Sequence, residues 1–335
     1  MRIKRLVIIF FLFVLNLDAA AVKKERVDLA VYDFLLLPIE QLAAMYPYFE
    51  QIESFPLKYA RIREKYEMMA TYDLYTYVKQ FFSDTRNLKK IIFFDYCEDP
   101  KIFKLPKSKM VLFKWEAIKI PDYFYDPYSI VYTCDDDLID GIKFFKFYYP
   151  ALLPMEQDLF HFEEKKLCTL IASNWTLDRV KMVEFFESKS QGDFEFYGVA
   201  SGKFAESKMY RGSIPGYHSG KEKLSTLKKY RFCICFENTH TTNGYITEKI
   251  FNCFAAGCVP VYWGPDNVET YIPANCFIDY RDFQSNEELY FVLKTMSKET
   301  YEEYIENIRQ FLHSEKAQLF SPDSFDQILF EAANQ

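Results

Sequence analysis

At 335 residues, half of them apolar and 27% charged, the chain is long enough for two domains and too apolar to be disordered. A net charge of −7 gives no general attraction to phosphate backbones, which argues against a nucleic-acid partner. The 34 Phe and 26 Tyr are read first as core filling, so composition names no substrate.

In chain order, Arg2, Lys4 and Arg5 precede an apolar run over residues 6–15, and Ala19, Ala20 and Ala21 follow. That is the pattern of a secretory signal peptide over residues 1–21, about ten apolar residues against the roughly 20 that span a membrane. A retained, short signal-anchor is the alternative and would bring membrane association. Either way the body of the chain is expected in the secretory pathway or cell envelope. Of the eight cysteines, Cys233, Cys235, Cys253 and Cys258 lie in apolar stretches and are expected as buried thiols. Any disulfide is expected among Cys97, Cys134, Cys168 and Cys276. No C-x-x-C pair exists, which argues against zinc.

Strands are predicted over residues 27–34, 90–96, 109–115 and 129–134, with helical spacing over residues 39–83. The Pro-punctuated YYPALLP segment marks a predicted boundary, giving domains over residues 27–150 and 151–335. Past it, strands are predicted at 166–172, 194–197, 231–236, 258–263 and 275–279. Helices are predicted at 179–187, 223–230 and 247–256, with a helical remainder. Such alternation predicts an α/β fold of two Rossmann-like domains facing across a cleft.

The chemistry gathers between Tyr230 and Phe283. Thr247 is the expected N-cap of a helix that Gly257 stops, which puts Glu248 and Lys249 in its first turn. A phosphate there would meet free backbone N–H groups, the helix dipole and the Lys249 ammonium. The bland alternative is an ordinary helix start with solvated charges.

This segment resembles the signature of the α-1,3-fucosyltransferases, glycosyltransferase family 10. The match runs through Phe236-Glu237-Asn238, Gly244-Tyr245-Ile246-Thr247-Glu248-Lys249, residues 257–264, residues 267–273 and Asp282-Phe283. The resemblance implies a GT-B arrangement whose carboxyl-terminal domain binds GDP-fucose and whose amino-terminal domain holds an acceptor oligosaccharide or glycoconjugate. Asn238, Tyr245, Glu248 and Lys249 would then contact the nucleotide-sugar. Ser173-Asn174 at a strand end, followed by Arg179, is a second match that implies Arg179 on the diphosphate, a role suited to its planar fork. A third is the strand 111–115 ending in Glu116, implied to be the base that takes the acceptor proton in an inverting displacement. Glu248 is the next candidate for that role. The family default is α-1,3 transfer to N-acetylglucosamine, with no cofactor or metal required. Asp135, Asp136 and Asp137 mimic a metal-binding D-x-D but are expected as a solvated loop. Another GT-B sugar-nucleotide transferase and a non-catalytic glycan-binding relative remain alternatives. His240 receives no role.

Overall fold

The computed structural model describes residues 29–33, 60–66, 68–71, 88–95, 97, 100–189, 192–199, 202–214 and 220–335. The expected leader over residues 1–21 lies outside the described residues. Among those described, no helix is long and apolar enough to cross a membrane.

Two parallel sheets carry the fold. The first contains β1 (Leu29–Asp33), β2 (Met68–Thr71), β3 (Lys90–Phe94), β4 (Met110–Lys114), β5 (Ile130–Thr133) and β6 (Phe144–Lys146), in the order β2-β1-β3-β4-β5-β6. The second contains β7 (Lys166–Ala172), β8 (Phe194–Gly198), β9 (Tyr230–Phe236), β10 (Val259–Trp263) and β11 (Ile278–Asp279), in the order β11-β10-β9-β7-β8. Parallel sheets are covered on both faces, which is why their strands are continuous apolar runs. In β4, Val111 and Phe113 face one core while Met110 and Leu112 face another, the period of two that a strand imposes.

The expected helical stretch over residues 39–83 departs from the structure where it is described. Ala60–Lys65 is a helix, α1, but Met68–Thr71 is the edge strand β2, pairing parallel with β1 through Leu29 and Met68. Methionine at helical spacing fits either state, and pairing with β1 decides it. Strand β6 was not predicted at all. Three residues are too few to show a period, and β6 exists through its pairing with β5.

Among the described residues, seven helices follow β7: α2 (Leu177–Glu187), α3 (Lys221–Leu227), α4 (Glu248–Ala255), α5 (Asn286–Thr295), α6 (Lys298–Leu312), α7 (Glu315–Gln318) and α8 (Pro322–Asn334). Ser285, Ser297, Ser314 and Ser321 cap the last four, each accepting an N–H from the first turn. Helix α8 crosses back to the first sheet. Phe325 packs edge-on against Phe113 and Trp115, both at 5.6 Å between ring centres, and Asp326 accepts the Arg61 N–H at 2.8 Å.

All eight cysteines are buried free thiols, so none of the four disulfide candidates pairs. Burial pushes the Cys134 and Cys276 thiols up to about 12, which leaves them inert near neutrality.

Candidate active site

The carboxyl ends of β7, β9 and β10 point to one region, where open α/β sheets bind ligands. Strand β9 runs out into Phe236, Glu237 and Asn238, and two cationic side chains meet on those residues. Arg179, in the first turn of α2, is buried and donates to the carbonyls of Asn174, at 2.6 Å, and Phe236, and to Asn238 Oδ1 at 3.2 Å. Lys249, in the first turn of α4, lies 2.9 Å from Glu237. Burial works against the Lys249 ammonium, but the Glu237 and Glu248 carboxylates outweigh it and raise its pKa. Burial in turn lowers that of Arg179, with Glu237 opposing.

Glu237 is the residue that sequence reasoning missed. Its side chain is fully buried, and it accepts from the Thr247 N–H at 2.9 Å, the Thr247 hydroxyl, the Lys249 ammonium and the Tyr262 hydroxyl at 3.2 Å. The signal was there in Phe236-Glu237-Asn238, an acidic residue closing an apolar strand. Thr247 stands at the N-cap, as expected, but makes no side-chain capping bond; its hydroxyl serves Glu237 instead. A cavity of about 130 Å³ opens beside this cluster, lined by Thr176, Asp178, Asn238, His240 and Trp263 among others. His240 stacks on Trp263 with ring centres 4.3 Å apart.

Glu248 lies 3.8 Å from Lys223 of α3 and acts on Lys249 and Arg179 through its charge. Tyr245 turns toward the first sheet: it is 1% exposed, and its hydroxyl donates to Glu116 Oε2 at 3.3 Å. That bond joins the two sheets' territories. Glu116 follows β4, and its backbone is held by the first sheet, since its N–H donates to Asp95 and its carbonyl accepts from Lys114. Pro121, five residues on, opens a 3-10 turn over Asp122–Tyr125. Burial raises the Glu116 pKa first, Asp95 adds to it, and Lys249, Tyr245 and Lys114 oppose.

The acidic run is a solvated loop only in part: Asp137 is exposed, but Asp136 is bonded across to the second half. Asp136 binds Lys146 at 2.6 Å on its own side, and Asn267 at 2.7 Å and Tyr271 at 2.6 Å from beyond β10. Asp137 accepts from Asn243 at 3.1 Å, and Asp135 accepts the Asp137 N–H. The contact is so close that Gly244, at φ +78, has no room for a Cβ: it would lie 2.5 Å from the Cys134 carbonyl oxygen. Sequence reasoning saw solvated charge because Asn267 and Tyr271, the partners that hold Asp136 from the second half, lie more than a hundred residues away. Burial pushes the Asp136 carboxyl up, but bonds from Lys146, Tyr271 and Asn267 outweigh it and hold it below its ordinary value. Its contribution to stability is therefore complete above the unfolded carboxylate pKa and is lost as pH falls through the lower, folded one. Asp136→Ala should destabilise the protein by about 1–3 kcal/mol, because it strands several donors at once. Urea unfolding near neutral pH checks this; an unchanged midpoint would show that the two sheets hold together without it.

Residues 162–324 match the family model described as glycosyltransferase family 10 (fucosyltransferase), C-terminal part. The mouse 4-galactosyl-N-acetylglucosaminide 3-alpha-L-fucosyltransferase 9 is 34% identical over 137 residues, 40% of this chain and 34% of that protein. The mouse alpha-(1,3)-fucosyltransferase 7 is 42% identical over 81 residues, 23% of this chain and 21% of that protein. The matched stretch thus spans about a third of the first relative's length. Among solved structures, an alpha1,3-fucosyltransferase with GDP superposes with a TM-score of 0.57 at 14% identity, over 94% of this chain and 92% of that one. A DNA-modifying beta-glucosyltransferase does so with a TM-score of 0.51 at 11% identity, over 92% of this chain and all of that one. At such identities the likeness shows the fold, which is GT-B. With that fold, the family match over residues 162–324 places the carboxyl-terminal half of the chain in glycosyltransferase family 10, the fucosyltransferases.

Proposed function

We propose that the chain transfers L-fucose from GDP-fucose to a hydroxyl of an acceptor glycan with inversion, by α-1,3 linkage to N-acetylglucosamine. The observation that carries this reading is the Glu116–Tyr245 hydrogen bond of 3.3 Å. It sets a carboxylate of the amino-terminal half against the segment that leads directly into Lys249.

In this reading residues 27–150 hold the acceptor and residues 151–335 the donor. Glu116 takes the proton from the acceptor hydroxyl, whose oxygen forms the new bond to the anomeric carbon of fucose. The bond from that carbon to the diphosphate breaks, and its electron pair leaves with GDP. Lys249, Arg179 and the first turn of α4 offset the charge that develops on the leaving diphosphate. Asn238 positions Arg179, and Tyr245 steers Glu116 with its hydroxyl. Glu248 adds negative charge beside Lys249, which keeps the ammonium protonated.

Since Glu116 must be ionised, turnover should fall as pH drops through its raised pKa. The leader pattern and the mammalian relatives support a place in the secretory pathway. The deciding experiment incubates purified protein with GDP-fucose and a panel of glycans and determines the product linkage and anomeric configuration. Transfer from another sugar nucleotide, or none at all, would overturn the reading.

No metal is needed when two cationic side chains and a helix start supply the charge. Activity should therefore survive exhaustive treatment with EDTA. Complete loss that added metal restores would instead bring the 135–137 carboxylates forward as ligands.

A further inference from the structure

A carboxylate that takes a proton must be aimed, and the side chain that aims Glu116 comes from the neighbouring strand. Asp95 follows β3 and is buried. Its φ of 60° makes it the one non-glycine residue with positive φ among the described residues. Aspartate and asparagine tolerate that region better than other side chains, because a short polar group can bond locally. The local bonds are present. The Asp95 N–H donates to the Phe113 carbonyl at 2.9 Å, the last ladder bond between β3 and β4. Beyond it the side chain takes over: Asp95 Oδ1 accepts the N–H of Trp115 at 3.0 Å and that of Glu116 at 3.1 Å. Lys114 Nζ stands 3.6 Å from the same oxygen and donates to the Glu116 carbonyl. The strand thus ends on a carboxylate and not on another backbone carbonyl, and the chain turns at Glu116.

Resting on the reading of Glu116 as the base, we propose that Asp95 is its positioning residue: it fixes the backbone at Trp115 and Glu116 by one hydrogen bond each and brings a second carboxylate near that of Glu116. The charged and titratable groups around Glu116 are Asp95 and Lys114 from the first sheet, Tyr149 just after β6, and Tyr245 and Lys249 from the second half. Asp95 pushes the Glu116 pKa upward, adding to burial, while Lys249, Tyr245 and Lys114 pull it down. The two roles of Asp95, aim and charge, separate by substitution. Asn at position 95 keeps an oxygen for both N–H groups and tolerates the positive φ, but carries no charge. Ala loses both.

The experiment measures turnover against pH, GDP affinity and melting temperature for the wild type, Asp95→Asn, Asp95→Ala and Glu116→Gln. Asp95→Asn should move the acid limb of the kcat/KM profile to lower pH with GDP affinity unchanged. Asp95→Ala should also lower kcat by on the order of 10²-fold, the effect of a misplaced reacting group, with KM for GDP-fucose little altered. If Asp95→Ala does not fold, the near-isosteric Asn variant still decides the matter. A wild-type acid limb in Asp95→Asn overturns the proposal, even if both variants melt early, because a purely structural residue would do only that. Normal turnover in Glu116→Gln would instead defeat the reading of Glu116 itself, so the two failures are distinct.

Discussion

Glu116→Gln should lower turnover by roughly 10²- to 10⁴-fold, the usual contribution of a general base. The amide keeps the shape and can still accept from the Tyr245 hydroxyl, but it cannot take up the acceptor proton. GDP affinity should hardly change, because Arg179, Asn238 and Lys249 gather on the end of β9 without Glu116. The melting temperature should hold or rise, since a half-buried carboxylate raised in pKa by burial is not a stabilising group. Stopped-time assays of fucose transfer, calorimetric titration of GDP and a thermal melt on one preparation would separate these effects. Turnover within a few-fold of wild type would return Glu116 to a structural role and make Glu248 the next carboxylate to test.

Lys249→Ala should do two kinds of damage. It removes a cation from the proposed diphosphate site, so GDP affinity and turnover fall together. It also leaves Glu237 buried and without its charge partner. Breaking a buried pair from one side costs about 3–5 kcal/mol, so the melting temperature should fall clearly as well. The double variant Lys249→Ala with Glu237→Gln tells the two apart. It should recover much of the lost stability, because no bare charge remains in the interior, yet it should not recover GDP binding. Full recovery of both would mean that Lys249 serves only Glu237.

Much of the carboxyl-terminal half was legible in the sequence. Strands such as Lys166–Ala172 and Tyr230–Phe236 are long apolar runs between turn residues, and α4 shows a clear apolar face before Gly257. Such local signals do not depend on what lies far along the chain. The amino-terminal half was less legible where its elements are short edge strands, β2 and β6, that exist only through pairing. The site divides the same way. Arg179 and Lys249 follow strand ends, so their convergence on β9 was predictable from topology. The partners that Asp136 finds beyond β10 were not, because burial turns an ordinary charge into a bonded one only after distant segments meet; Glu237 was passed over although Thr247, Lys249 and Tyr262 all lie within 25 residues of it. Tyr245 shows the limit of motif reading: the residue was singled out, yet its hydroxyl reaches Glu116 in the other half of the chain.

The return of α8 to the first sheet bears on how the protein is made. Phe325 completes the aromatic cluster of Phe113, Trp115 and Phe147 in the amino-terminal half, yet it is translated after the whole second sheet. Domains usually fold in the order in which they leave the ribosome. Here the half made first waits for a helix made late, and its apolar face stays uncovered in the interval. Nascent chains stalled before Pro322 should therefore keep the first sheet sensitive to protease, and those released beyond Asn334 should gain protection there in one step.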